Sequence, residues 1–139
     1  LGAPAAKAEI VLHGSFAKTY KGHGTDRAIV AGILGMKTDD VCLRFSLETA
    51  KEQGLSVTIL TRELEGAHPN TAEITLTDTA GKTVSLRGCS IGGGNILITR
   101  INGMEVCLTL LPSPKSWRSA GSISATSAWL ARPKAGRPL

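Results

Sequence analysis

The period of apolar positions changes several times along the chain, and each change marks an element. Residues 8–12, Ala-Glu-Ile-Val-Leu, read as a strand. Residues 15–22 read as a loop or a short lead-in to a helix. Over residues 25–36, Ala28, Ile29, Ala31, Ile33 and Leu34 leave little polar face, which predicts a deeply buried helix ended by Gly32 or Gly35. Thr38, Asp39 and Asp40 offer N-caps to a second helix. Its stripe is Val41, Leu43, Phe45, Leu47 and Ala50, with Arg44, Glu48, Lys51 and Glu52 outside, and Gly54 ends it.

After Gly54 the period shortens to two. Residues 55–61 are rich in β-branched side chains and predict a strand, and a loop over 63–67 leads to His68-Pro69-Asn70. Over residues 71–77, Ala72, Ile74 and Leu76 take one face and Glu73, Thr75 and Thr77 the other, as in a half-buried strand. Asp78-Thr79-Ala80-Gly81 turns the chain, and Val84 and Leu86 resume the inward face in a hairpin partner. Residues 89–95 are broken by Gly92-Gly93-Gly94. Residues 96–101 predict another strand, and Asn102-Gly103 is a strong hairpin signal that returns residues 104–110 upon it. One strand, two helices and a series of strands predict an α+β fold, with two helices packed on one face of a largely antiparallel sheet.

The organisation is one domain over residues 8–110 between two unlike ends. Residues 1–7 are rich in Ala, Gly and Pro and read as a truncated linker. Residues 111–139 are rich in Pro, Ser, Ala and Arg, contain both tryptophans, and keep no periodicity. They read as a basic tail, disordered or aberrant. That tail carries Lys115, Arg118, Arg132, Lys134 and Arg137 and no acid, so the whole net charge of +5 belongs to it. The remaining residues balance, which removes the electrostatic case for nucleic-acid binding by the folded part. No apolar run approaches the ~20 residues needed to cross a bilayer, so no membrane role is expected. Cys42, Cys89 and Cys107 are scattered, with no Cys-x-x-Cys pair. This fits reduced thiols in a cytoplasmic protein and offers no metal or cluster site within this chain.

Three stretches carry candidate chemistry. In Gly22-His23-Gly24-Thr25-Asp26, Thr25 or Asp26 can cap the following helix, whose N-terminus welcomes an anion. His23 can exchange a proton beside that anion; the plainer reading is a capped helix with a surface histidine. His68-Pro69-Asn70-Thr71 sets an imidazole, a carboxamide and a hydroxyl around a proline-stiffened turn, or is simply a turn before a strand. Gly92–Gly94 could cradle an anion with backbone N–H groups, or form a flexible loop. His13, His23 and His68 match no compact metal-ligand spacing. Ser15, His23 and Asp26 lack the Gly-x-Ser-x-Gly elbow of a hydrolase.

These motifs occur together and in order in one family. His13-Gly-Ser-Phe-Ala-Lys-Thr, Gly22-His-Gly-Thr-Asp-Arg-Ala28 and Ala31-Gly-Ile-Leu-Gly-Met36 with Asp39-Asp40 are followed by His68-Pro-Asn-Thr71, Gly88-Cys-Ser-Ile-Gly-Gly-Gly94 and Ile101-Asn-Gly-Met-Glu-Val106. From about residue 8 to residue 108 the chain resembles the beta chain, or beta domain, of the iron–sulfur L-serine dehydratases. The resemblance implies a fold similar to the allosteric substrate-binding domain of phosphoglycerate dehydrogenases. It also implies an L-serine ammonia-lyase that degrades L-serine to pyruvate and ammonia. The implied [4Fe–4S] cluster is bound by a partner alpha chain, so this chain alone is expected to be inactive. His23 is the implied catalytic acid/base or positioning group, and Thr25, Asp26, His68, Asn70 and Thr71 line the implied serine pocket. Family chains carry a serine-rich segment with a further histidine upstream and a small ligand-sensing domain downstream, and neither is recognisable here. A homo-oligomer is compatible with this reading. The alternatives are a non-catalytic domain that binds an anion or amino acid, and a truncated product without function.

Overall fold

In the computed structural model, which describes residues 1–110, the first strand runs from Ala5 to Leu12 as β1. Side chains alternate along it, so Ala8, Ile10 and Leu12 share one face and are fully buried. β2 (Ser56–Thr61) lies parallel to β1 on one side, and β3 (Thr71–Asp78) lies antiparallel on the other. β4 (Thr83–Gly92), β5 (Asn95–Ile101) and β6 (Met104–Leu110) continue the sheet as hairpins, in the order β2-β1-β3-β4-β5-β6. A parallel pair needs a crossover rather than a tight turn. That crossover contains α1 (Gly14–His23), α2 (Thr25–Ile33) and α3 (Ser46–Glu52).

The α+β class and the mostly antiparallel sheet are as expected, but there are three helices, not two. Residues 15–22 lie within α1. Phe16, Ala17 and Tyr20, at helical spacing, pack on the core. α1 has no side-chain N-cap; the Pro69 carbonyl accepts Ser15 N–H at 2.8 Å instead. Its start is thus fixed by a partner distant in sequence. α2 ends at Ile33, short of Met36. α3 begins at Ser46, well after Asp40, because Asp40 Oδ1 accepts Cys42 N–H at 2.8 Å and residues 43–45 form a 3₁₀ turn. The fully buried Ser46 hydroxyl donates to the Arg27 carbonyl at 2.8 Å and ties α3 to α2. β4 extends through Cys89 to Gly92. Gly93 and Gly94, with φ of 62° and 78°, make the two-residue turn into β5 that the right-handed twist of strands favours.

The core joins Ala8, Ile10 and Leu12 to Val30, Ala50 and Leu55, with Val57, Ile59, Ala72, Ile74 and Leu76 packed around them. Each fully buried Ile, Leu or Val contributes about 1.5–3 kcal/mol. None of these core residues lies on β4, β5 or β6. The expectation for residues 111–139 lies outside the described residues.

Candidate functional site

Three motifs far apart in the sequence meet at one end of the sheet, where β1 ends and β3 begins. His13 N–H donates to the Thr71 carbonyl at 3.0 Å, and Ser15 N–H to that of Pro69. Ser90 N–H donates to the Asn70 carbonyl at 3.0 Å, and Thr71 stands opposite Cys89. The His13-Gly14-Ser15, His68–Thr71 and Gly88-Cys89-Ser90 stretches therefore form one hydrogen-bonded knot.

Each side chain in the knot has a definite state. His13 is 8% exposed, and its Nδ1 accepts Leu64 N–H at 2.9 Å. Glu63 Oε2 lies 3.3 Å from the same nitrogen. One nitrogen cannot serve both groups, because the amide needs a lone pair and the carboxylate needs a proton. The part-buried amide contact is the better defined of the two, since the Glu63 side chain is 83% exposed. His68 is exposed, and its Nδ1 accepts Asn70 N–H at 3.1 Å, which leaves Nε2 to carry the proton of the neutral ring. Thr71 is buried and donates its hydroxyl to the His68 carbonyl at 2.6 Å. Asn70 is half-buried.

His23, Thr25 and Asp26 lie elsewhere, at the joint between α1 and α2. Gly24, at φ 68°, ends α1 by donating its N–H to the Tyr20 carbonyl and starts α2 by accepting Ala28 N–H at 2.9 Å. That left-handed conformation suits glycine. His23 is exposed and Thr25 half-buried. Asp26 is 9% exposed and its Oδ1 accepts Arg27 N–H at 2.8 Å, so this helix end carries a carboxylate of its own. Capping falls to Gly24, and neither Thr25 nor Asp26 is the N-cap. At about 1.5 Å of rise per residue, His23 stands about 13 Å along α1 from Gly14, which touches Pro69. The two expected halves of the site are thus separate places on this chain.

A cavity of about 500 Å³ opens beside the knot and includes His68, Thr71, Cys89, Arg87 and Arg100 in its lining. It lies on the sheet face opposite the helices. Ala72 and Ile74 belong to the helix side, so their neighbours Thr71 and Glu73 face away, as do Cys89 and Arg87 opposite them. Burial pushes the Cys89 thiol up from its ordinary value. Sequence reading missed the two arginines. The polar face of the alternating strands was the available signal, but it does not say which charges become neighbours.

The cysteines stand apart: Cys42 is exposed ahead of the 3₁₀ turn, Cys89 is buried on β4, and Cys107 is exposed on β6. Among the described residues no three His, Cys, Asp or Glu side chains gather as a metal site. The described residues therefore do not fit an iron–sulfur cluster, which needs several converging thiolates. Among the described residues no helix is long and apolar enough to cross a membrane.

The family model described as serine dehydratase beta chain matches residues 2–63. The "Probable L-serine dehydratase, beta chain" of Bacillus subtilis (strain 168) is 43% identical over 100 residues, covering 72% of this chain and 45% of that protein. The "L-serine dehydratase, beta chain" of Peptoniphilus asaccharolyticus is 46% identical over 99 residues, covering 70% of this chain and 45% of that protein. The chain spans less than half the length of these relatives. The motifs that knit the sheet end together, the family model and both relatives agree: this chain belongs to the serine dehydratase beta-chain family.

Proposed function

We propose that the chain is part of the beta subunit of an L-serine ammonia-lyase, which removes the Cα proton and the β-hydroxyl of L-serine and releases pyruvate and ammonia. The reading is supported by the relatives' names and carried by one observation. His13–Ser15, His68–Thr71 and Gly88–Ser90 are remote in sequence, yet backbone hydrogen bonds and strand pairing knit them together at one sheet end. Such a knot holds the backbone at Pro69, Asn70 and Thr71, and Asn70 N–H orients the exposed His68 ring through its Nδ1, an arrangement suited to substrate positioning. His23, on a helix end held by Gly24, is the acid/base or positioning group of this proposal. Thr25 and Asp26 accompany it, and His68, Asn70 and Thr71 form the second half of the serine pocket.

The two halves converge on substrate only when a further surface completes the pocket. In this proposal that surface belongs to an alpha chain, which also holds the [4Fe–4S] cluster, in a cytoplasmic two-chain enzyme. The test is a graft. Residues 8–108 replace the corresponding segment of the Peptoniphilus asaccharolyticus beta chain, which is co-expressed anaerobically with its alpha chain. L-Serine-dependent pyruvate formation is expected. An assembled, folded chimera that forms no pyruvate would overturn the proposal.

A further inference from the structure

We propose that His13 is a pH-dependent latch for the loop between β2 and β3: protonation of its Nδ1 transfers the ring from Leu64 N–H to the Glu63 carboxylate and re-seats one wall of the cavity. His13 follows β1 in an extended conformation, with φ −118° and ψ 152°. Leu12 faces the helices, so the next side chain, His13, turns toward the helix-free face, where Glu65, Gly66 and Ala67 line the cavity. The loop is fastened at both ends. Arg62 N–H donates to the Leu12 carbonyl at 3.0 Å, and the Pro69 carbonyl accepts Ser15 N–H at 2.8 Å. Between these points, among the described residues, residues 63–67 make hydrogen bonds or ion pairs with the rest of the fold only through His13. Leu64 N–H donates to His13 Nδ1 at 2.9 Å, and Glu63 Oε2 lies 3.3 Å from that nitrogen. Ala67 N–H donates within the loop, to the Leu64 carbonyl at 3.2 Å, across a tight turn with Gly66 at φ 67°. A displacement of Leu64 therefore carries the whole turn with it.

The two contacts of Nδ1 need opposite protonation states. A neutral imidazole offers a lone pair to the amide, whereas the cation has an N–H there and no lone pair. Histidine changes charge between about pH 5 and pH 8. Protonation thus removes the acceptor of Leu64 N–H and gives Glu63 a charge-assisted hydrogen bond. Because the two partners are adjacent residues, the loop re-seats on the ring and does not come away. The other charged and titratable groups around His13 leave this exchange to Glu63. Glu9 and Lys7 lie farther back on the same face of β1. Glu73 of β3, opposite Val11, is held by Arg87 of β4, and Cys89 stands opposite Thr71. The loop adds Arg62 and Glu65, both exposed, and the following turn His68, whose Nδ1 accepts Asn70 N–H. The first turn of α1, Gly-Ser-Phe-Ala, carries no charge. Among the described residues Glu63 is the one carboxylate within ion-pair distance of His13. The inference rests on the tethering of the loop, not on the lyase reading, and its failure would leave that reading untouched.

The experiment is an NMR titration of the full 139-residue chain from about pH 8 to about pH 5. The Leu64 amide proton should move upfield in one step as it loses its acceptor, in parallel with the ring signals of His13 and not with those of His23 or His68. His13→Asn should abolish that step and keep the separate response of the Asn70 amide to His68. Glu63→Ala should keep the Leu64 step but leave the acid form without its second anchor, so the {1H}–15N NOE of residues 65–67 should fall below that of the unaltered chain at the acid end. A Leu64 amide that does not move, a step that follows another histidine or survives in His13→Asn, or a Glu63→Ala loop as ordered in acid as the unaltered one overturns the proposal. The match between the Leu64 and His13 signals on the unaltered chain decides the matter even if His13→Asn misfolds.

Discussion

The carbonyl oxygen of Pro69 occupies the place where a side chain at position 14 would begin, 2.6 Å from an ideal Cβ on Gly14. The same oxygen accepts Ser15 N–H at 2.8 Å and so caps α1. Gly14 also has a φ of 56°. A side chain there meets both backbone strain and a backbone atom that cannot move without releasing the helix. Gly14→Ala is therefore expected to destabilise the fold by about 3–5 kcal/mol. Gly24→Ala is the comparison: its φ is 68°, but nothing lies within 4 Å of the added Cβ. It should cost only the left-handed strain, roughly 1–2 kcal/mol. Urea unfolding of the two variants measures the difference, and equal losses would mean that the Pro69 contact does not matter.

His13 is a structural residue in this arrangement. Removing the ring leaves Leu64 N–H without its acceptor, so His13→Ala should lose about 1–3 kcal/mol. His13→Asn can present an oxygen near the position of Nδ1 and should recover part of that loss. In a reconstituted enzyme, the activity of His13→Ala should fall only in proportion to folded protein.

His23 should behave in the opposite way. Its side chain is exposed at the end of α1, so His23→Ala should leave the unfolding midpoint nearly unchanged. In the chimeric enzyme its turnover should drop by about 10²-fold or more, the usual scale for a lost acid/base group. Turnover that tracks the amount of folded protein would remove His23 from the proposed chemistry.

Asp78 links the first hairpin turn to acid stability. Burial pushes its carboxyl up, but Lys82 N–H at 2.9 Å and Ala80 N–H at 3.0 Å both donate to Oδ1, and the net pKa lies below the ordinary 3.8. A group whose pKa falls on folding stabilises the native state above its unfolded value, and that contribution disappears as pH drops through the folded value. The chain should accordingly lose stability below about pH 4. Asp78→Asn should be less stable at pH 7 and show a flatter acid limb. Parallel unfolding curves across pH 2–7 would contradict this assignment.

The thiols should sort by exposure. Cys42 and Cys107 are exposed, whereas Cys89 is buried with its thiol pKa raised. Because the thiolate is the nucleophile, iodoacetamide should modify Cys42 and Cys107 in the native protein and reach Cys89 only on unfolding. Mass spectrometry of a timed reaction gives the order, and early labelling of Cys89 would refute it.

What the sequence determined by itself was everything carried by short-range pattern. The alternation of Ala72, Ile74 and Leu76 with Glu73, Thr75 and Thr77 is a property of neighbours, and it marked β3 and its buried face. Asn102-Gly103 dictated the β5–β6 turn, where Asn102 indeed adopts a positive φ of 48°. The apolar run from Ala28 to Leu34 marked α2. The ordered motifs from His13 to Val106 also sufficed to identify the family. Tertiary structure decided what depends on partners distant in sequence. α1 was illegible because its cap comes from Pro69 and its apolar stripe is short. The parallel pairing of β1 with β2 leaves no turn signature, since a crossover of three helices separates them. The separation of His23 from His68 follows from the length of α1 and from which end of it Pro69 holds. The placing of Glu73, Arg87, Arg100 and Glu105 opposite one another on four adjacent strands exists only through register, because a shift of one residue would send each charge to the other face.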